Sequence, residues 1–181
     1  MKKGQAHPAA LLSKKMISDA LIELLSEKSY SDITITELCA HSQIARRTFY
    51  RNFEKVDDAL AFYIKGVVDD FGSEMSKHAG EPYYDVVVAY FTFWFSRTEL
   101  LLLLGRNGLT HIIFTEYIKC LEQLPFLCGN EFQSGANMEE FPFIFAYTAG
   151  GLWSLLTYYI SSGSTQSPQK IAQILTRKSE N

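Results

Sequence analysis

The chain has 181 residues, enough for one domain or for a small module fused to a larger one. Its 47% hydrophobic and 14% aromatic content supplies a sizeable core and excludes a disordered protein. Formal net charge is only -3, but residues 1 to 55 hold nine Lys/Arg against six Asp/Glu and the remainder holds eight against fourteen, so a basic module precedes an acidic body.

Residues 9 to 28 place Leu12, Met16, Ile17, Ala20, Leu21, Leu24 and Leu25 at three- and four-residue steps. Lys14, Lys15, Asp19, Glu23 and Glu27 take the opposite side, which predicts an amphipathic first helix ending near Lys28. Tyr30 and Ile33 lead into Thr34, and Glu37 three residues on completes a capping box, so a second helix should begin at Ile35. Leu38 and Cys39 point inward from it, and the pattern breaks at His41-Ser42-Gln43. A third short helix carries Arg46, Arg47, Tyr50 and Arg51, anchored by Ile44, Phe49 and Phe53. Helices this short are marginal alone and need a neighbour. The exposed side of the third offers guanidinium groups, a threonine hydroxyl and a tyrosine, which suit phosphates and guanine edges in a major groove. The pair reads as a helix-turn-helix.

A long helix is expected from about Val56 to His78, with Asp57 and Asp58 in its first turn and Leu60, Ile64, Val67, Val68 and Phe71 as its apolar stripe. It joins module to body without a flexible linker. Pro82 suits a helix start, and the aromatic run from Tyr83 to Ser96 predicts a central helix. Leu100 to Leu104 reads as a short helix interrupted by Gly105 to Gly108. Leu109 to Leu127 reads as another helix with Ile112, Ile113, Tyr117, Ile118, Leu121 and Leu124 inward, followed by a loop from Cys128 to Met138. No charged residue lies between Glu140 and Lys170. The helix over 141 to 162 is long enough to cross a bilayer. Its polar and small residues, Thr148, Gly150, Gly151, Ser154 and Thr157 among them, favour burial between two subunits instead, with no membrane as partner. Pro168 opens a last helix containing Ile171, Ile174 and Leu175.

Chemistry-bearing motifs are scarce. The three cysteines, Cys39, Cys120 and Cys128, lack metal spacing and read as inert thiols in a reduced, cytoplasmic setting. The residues before Lys14 contain no apolar run of secretory type. His7, His41, His78 and His111 show no ligand spacing, and no nucleophile elbow, phosphate loop or dinucleotide fingerprint occurs. Neither an enzyme nor a metal or organic cofactor is expected.

Two segments, Thr34-Ile-Thr-Glu-Leu-Cys39 and Ile44-Ala-Arg-Arg-Thr-Phe-Tyr-Arg-Asn-Phe53, resemble the TetR family of one-component bacterial regulators. The resemblance is strong over roughly residues 10 to 65 and rests on general architecture beyond. It implies an all-α fold in which residues 1 to 55 form a three-helix, helix-turn-helix DNA-binding domain. Residues 56 to 181, beginning with the long helix, would form a helical regulatory and dimerisation domain. Carried over position by position, Arg46 and Arg47 face bases, Thr48 and Tyr50 touch phosphate or a thymine methyl, and Thr36 approaches the backbone or a base. Asn52 replaces the usual histidine, Lys55 stands in for a lysine that Val56 displaces, and Arg51 adds a further DNA contact. Gln43 and Ala45 depart from the usual turn glycine and helix cap.

The same resemblance implies a cytoplasmic homodimeric repressor released from a palindromic double-stranded DNA operator by a small apolar or aromatic effector. A pocket would be walled by Tyr90, Trp94, Phe114, Tyr117, Tyr147 and Trp153. The dimer interface would use Phe141, Phe145, Gly150, Gly151, Leu155, Tyr159, Ile171 and Leu175 as part of a four-helix packing. The alternative is a body that binds a protein partner instead of a small molecule.

Overall fold

The computed structural model describes residues 8–124, 127 and 139–177. Among these the regular elements are helices only: α1 (Pro8–Glu27), α2 (Ile35–His41), α3 (Arg46–Asn52), α4 (Val56–Ser76), α5 (Tyr83–Phe95), α6 (Thr98–Arg106), α7 (Thr110–Leu121), α8 (Phe141–Ser162) and α9 (Pro168–Leu175), with a 3-10 turn at Tyr30–Asp32. The all-α architecture expected from helical spacing is the one present.

Helix α1 packs against α2, α3 and α4. Its buried stripe is Ile17, Ala20, Leu21, Leu24 and Leu25. Leu12 and Met16 depart from expectation, being 61% and 40% exposed, because close packing on α1 starts only one turn later. Lys14 departs the other way. It sits three and seven residues before Ile17 and Leu21, hence on the inward side, and its ammonium lies 5.5 Å from the Phe53 ring centre and 5.6 Å from that of Phe62.

The turn between α2 and α3 follows from local chemistry. Thr34 Oγ1 accepts the Glu37 N–H at 3.2 Å, so α2 begins at Ile35. The reciprocal half of the expected box is not made. Glu37 instead pairs with Lys28, whose ammonium holds the Glu37 carboxyl below its usual range and ties the end of α1 to α2. At the other end Gln43 N–H donates to Ala40 O at 3.2 Å and Ile44 N–H to Cys39 O at 3.0 Å, the two bonds of a Schellman motif. That motif puts Gln43 in the left-handed region at φ 56, where glycine is normally favoured.

Ala45 then stands at the N-cap of α3 with no side-chain bond. Ala45→Ser is therefore expected to stabilise the protein by about 1 kcal/mol, read as a rise in the urea unfolding midpoint at unchanged slope. No rise would mean the first-turn N–H groups are already satisfied.

Helix α4 is the spine, packed by α1, α5 and α7. Asp58 caps it, its carboxylate accepting the N–H groups of Glu54 at 2.8 Å and Lys55 at 3.1 Å. Gly72 lets α4 lie close to α7, since a Cβ there would come within 2.9 Å of Cys120 Sγ and displace that side chain. In α5, Val86, Val87, Tyr90, Phe91, Phe93 and Trp94 are buried, and α9 packs along this helix. Helix α6 starts earlier than expected and runs through Gly105. It stops in a second Schellman motif, with Gly108 at φ 69 and Leu109 N–H donating to Leu104 O at 2.9 Å. Helix α7 stops at Leu121, not at the expected 127, because Pro125 disfavours helical backbone at the residue before it. The predicted loop over 128–138 lies outside the described residues.

Candidate nucleic-acid interface

Phe49 is fully buried against the α1–α2 core, and this fixes which way α3 faces. Its other side carries Arg46, Arg47, Tyr50 and Arg51, all exposed, with Tyr50 at 52%. No carboxylate pairs with any of these three arginines among the described residues. Guanidinium groups without an ion pair on one short helix face form a ready anion-binding surface. Thr36 of α2 lies at the rim, where its Oγ1 accepts from Arg46 Nη1 at 3.2 Å, so both helices contribute to one surface.

Not every predicted contact residue is equally free. Thr48 is half-buried, and its carbonyl accepts the Asn52 Nδ2 donor at 2.8 Å, which turns the Asn52 amide back along the helix. Lys55 is exposed but pairs with Asp57 at 3.1 Å. Lys14, which sequence reading assigned to the outer face of α1, shares a concavity with Tyr50, Arg51 and Asn52 and adds a cation beside them. Its spacing from Ile17 and Leu21 was the signal that could have placed it there.

The basic surface is connected to the body by polar contacts as well as by α4. Tyr30 N–H donates to Asn107 Oδ1 at 2.9 Å, and Asn107 Nδ2 donates to Leu103 O at 3.0 Å. The Tyr30 hydroxyl donates to Asp57 in the first turn of α4. Burial and the neighbouring carboxylate push that hydroxyl well above its ordinary value, so it remains a donor. These contacts join the end of α6 and the first turn of α4 to the segment that enters α2.

No family model matches the chain, and no curated protein matches it. Among solved structures, that of the dihydroxyacetone kinase operon activator DhaS is similar, with a TM-score of 0.59 at 16% sequence identity over 91% of this chain and 92% of that one. The two chains share a fold. The likeness extends through the body and establishes the all-helical fold that the TetR resemblance implies.

In the body, three of the residues expected to wall a pocket are packed core. Tyr90, Trp94 and Tyr117 are fully buried, with Phe71 ring centres 5.7, 5.1 and 5.9 Å away. The Tyr90 and Tyr117 hydroxyls hydrogen-bond at 2.9 Å, and burial raises both well above the ordinary tyrosine value. Trp94 Nε1 is buried without a hydrogen-bond partner. Phe114 and Trp153, 5.3 Å apart, flank this cluster half-buried. Tyr147 does not join them. It is 84% exposed, because its register on α8 matches Phe143 and Tyr158, not the buried Ala149, Leu152 and Leu156.

The expected interface residues divide similarly. Tyr159 stacks on Phe95 at 3.9 Å, and Phe145 and Ile171 pack on the core, so these three serve the protomer itself. Phe141 and Leu155 remain partly open on α8, as does Leu175 on α9. Gly150 and Gly151 have open space where a Cβ would stand. The expected interface omits three exposed apolar groups of the last two helices, Phe143 at 79%, Tyr158 at 68% and Ile174 at 55%. Phe143, Tyr147, Leu155 and Leu175 line one uncharged groove on the last two helices. Helix α8 is also long and apolar enough to cross a membrane, with mean hydropathy 1.2.

Proposed function

We propose that this chain is a TetR-type DNA-binding transcriptional regulator, with residues 1 to 55 reading DNA and the remainder dimerising and sensing a signal. The observation that carries this reading is the face of α3. Three unpaired arginines and a half-exposed tyrosine project from a helix whose orientation is locked by buried Phe49. Arg46 and Arg47 address base edges; Thr48 and Tyr50 address phosphate or a thymine methyl, Thr36 the backbone or a base, and Arg51, Asn52 and Lys55 the backbone.

The partner for the apolar face of α8 and α9 is a second copy of this chain. A surface of Phe143, Tyr147, Leu155, Tyr158 and Leu175 without charge is unsuited to water, and pairing two such faces about a twofold axis would bury it. Twofold symmetry in turn calls for a roughly palindromic operator with half-sites about one helical turn apart. In this reading the free dimer represses, and an effector in the body shifts α4 and α6, changes the separation of the recognition helices and releases DNA. The similar DhaS chain is named an activator, so the direction of regulation is part of what is proposed. A second reading, in which the body binds a protein partner, is supported by the close packing of Tyr90, Trp94 and Tyr117 where a pocket was expected.

Selection of genomic fragments by the purified full-length chain, followed by titration of the winners, tests the reading. Affinity should fall at least about a hundredfold between roughly 50 and 200 mM salt, because phosphate contacts release counterions. No enriched fragment, or a flat salt response, would remove DNA as the partner.

A further inference from the structure

A groove of about 400 Å³ lies between α6, α7 and the inward side of α8, away from the apolar surface assigned to the second copy. Its walls are almost wholly apolar, with Leu101 and Leu102 on one side and Trp153, Leu156 and Ile160 on the other. That size and lining match small-molecule sites. Gly105 lies on the α6 side, and a Cβ built there would touch nothing within 4 Å. Glycine is disfavoured inside a helix, and neither a close neighbour nor a positive φ demands one at this position. What the glycine provides is an open groove.

The lining holds one charge and no carboxylate. Arg106 stands at the end of α6, forms no ion pair among the described residues, and faces the same space as Thr110, the first residue of α7. Arginine stays charged at any accessible pH and presents a planar fork matched to a carboxylate. A helix N-terminus beside it adds to the attraction for an anion. Apolar walls with one guanidinium at the rim, held in no ion pair, are complementary to a molecule with an apolar body and a single anionic end.

We propose that this groove binds an amphipathic organic monoanion, an apolar chain or ring ending in one carboxylate, with Arg106 receiving the carboxylate and Trp153, Leu156 and Ile160 enclosing the apolar part. The inference rests on the reading that the body receives an effector, and it names that effector's class. It also supplies a route for the signal. The residue after Arg106 is Asn107, whose side chain accepts the Tyr30 N–H at 2.9 Å. An anion that repositions Arg106 acts one residue from the contact between body and DNA-binding module.

The test uses the full-length chain, with octanoate and 1-octanol as matched probes, followed by calorimetry and by tryptophan fluorescence, since Trp153 lines the groove. Octanoate should bind at least about tenfold more tightly than 1-octanol, as expected for a hydrogen bond to a charged group. Arg106→Gln should abolish that preference while leaving 1-octanol affinity unchanged, and Gly105→Leu should weaken both probes by filling the groove. Equal affinity for the two probes, or an undiminished octanoate preference in Arg106→Gln, overturns the proposal. Unaltered thermal unfolding shows that either variant is folded, and Gly105→Ala, for which space exists, is the milder substitute if the leucine variant is not. Operator binding is measured in parallel. Octanoate binding with no effect on DNA upholds the site and removes the effector reading, whereas DNA binding without octanoate binding removes the site and leaves the DNA-binding reading standing.

Discussion

Arg46→Ala combined with Arg47→Ala is expected to eliminate sequence-specific DNA binding while the protein keeps its fold and oligomeric state. Both side chains are exposed on α3 and neither contributes to the core, which at this point is Phe49. Arg46 makes one exposed hydrogen bond, to Thr36, so its loss costs the free protein little. On DNA the balance differs. A good bidentate contact between arginine and guanine contributes about 1–3 kcal/mol of discrimination, so removing two per recognition helix should lower specific affinity on the order of a hundredfold or more. Residual non-specific binding through Lys14, Arg51 and Lys55 would remain, with its salt dependence. Mobility shift on a selected fragment, against a scrambled competitor, reads the loss, and circular dichroism confirms the helices. Unchanged specific affinity would remove α3 as the reading helix.

The second large effect is on assembly. Gly151 lies on the wall of a groove between α8, where Tyr147 and Leu155 line it, and Tyr83 and Leu175, and a Cβ added there has nothing within 4 Å in its own protomer. Gly151→Glu should therefore leave the single chain folded and place a carboxylate in the face assigned to the partner. An unpaired charge buried in an apolar interface costs several kcal/mol, enough to convert a micromolar or tighter dimer into monomers at working concentrations. Tyr147→Glu, at the most exposed apolar position of the helix, should act in the same direction. Light scattering distinguishes the outcomes, and a dimer that survives both substitutions would place the interface elsewhere. Loss of the dimer should also reduce operator affinity, since two half-sites are then bound independently.

The contrast between these two cases shows where sequence reading succeeds. At the helix-turn-helix the determinants act over three to five residues. Thr34 caps α2, the Gln43 turn closes it, Ala45 leaves α3 uncapped, and Phe49 and Phe53 set the inward face. Such signals depend on backbone geometry close in sequence, so they can be read without knowing what packs nearby. The departures from expectation are of another kind. Lys14 is drawn over Phe53 and Phe62, residues 39 and 48 positions away. Tyr159 is taken up by Phe95, whereas Tyr147, twelve positions earlier on the same uncharged helix, is left outside.

By itself the sequence determined an all-helical chain, the start and turn of the helix pair, and the basic face of α3. Caps, periodicity and charge operate locally enough to specify those. Only the tertiary structure decided which aromatics became core, which side of α8 stayed open, and that Asn107 meets Tyr30. A helix that is apolar on every side carries no periodic contrast. Its orientation is therefore chosen by the surfaces it packs against, and those are assembled from segments far apart in the chain.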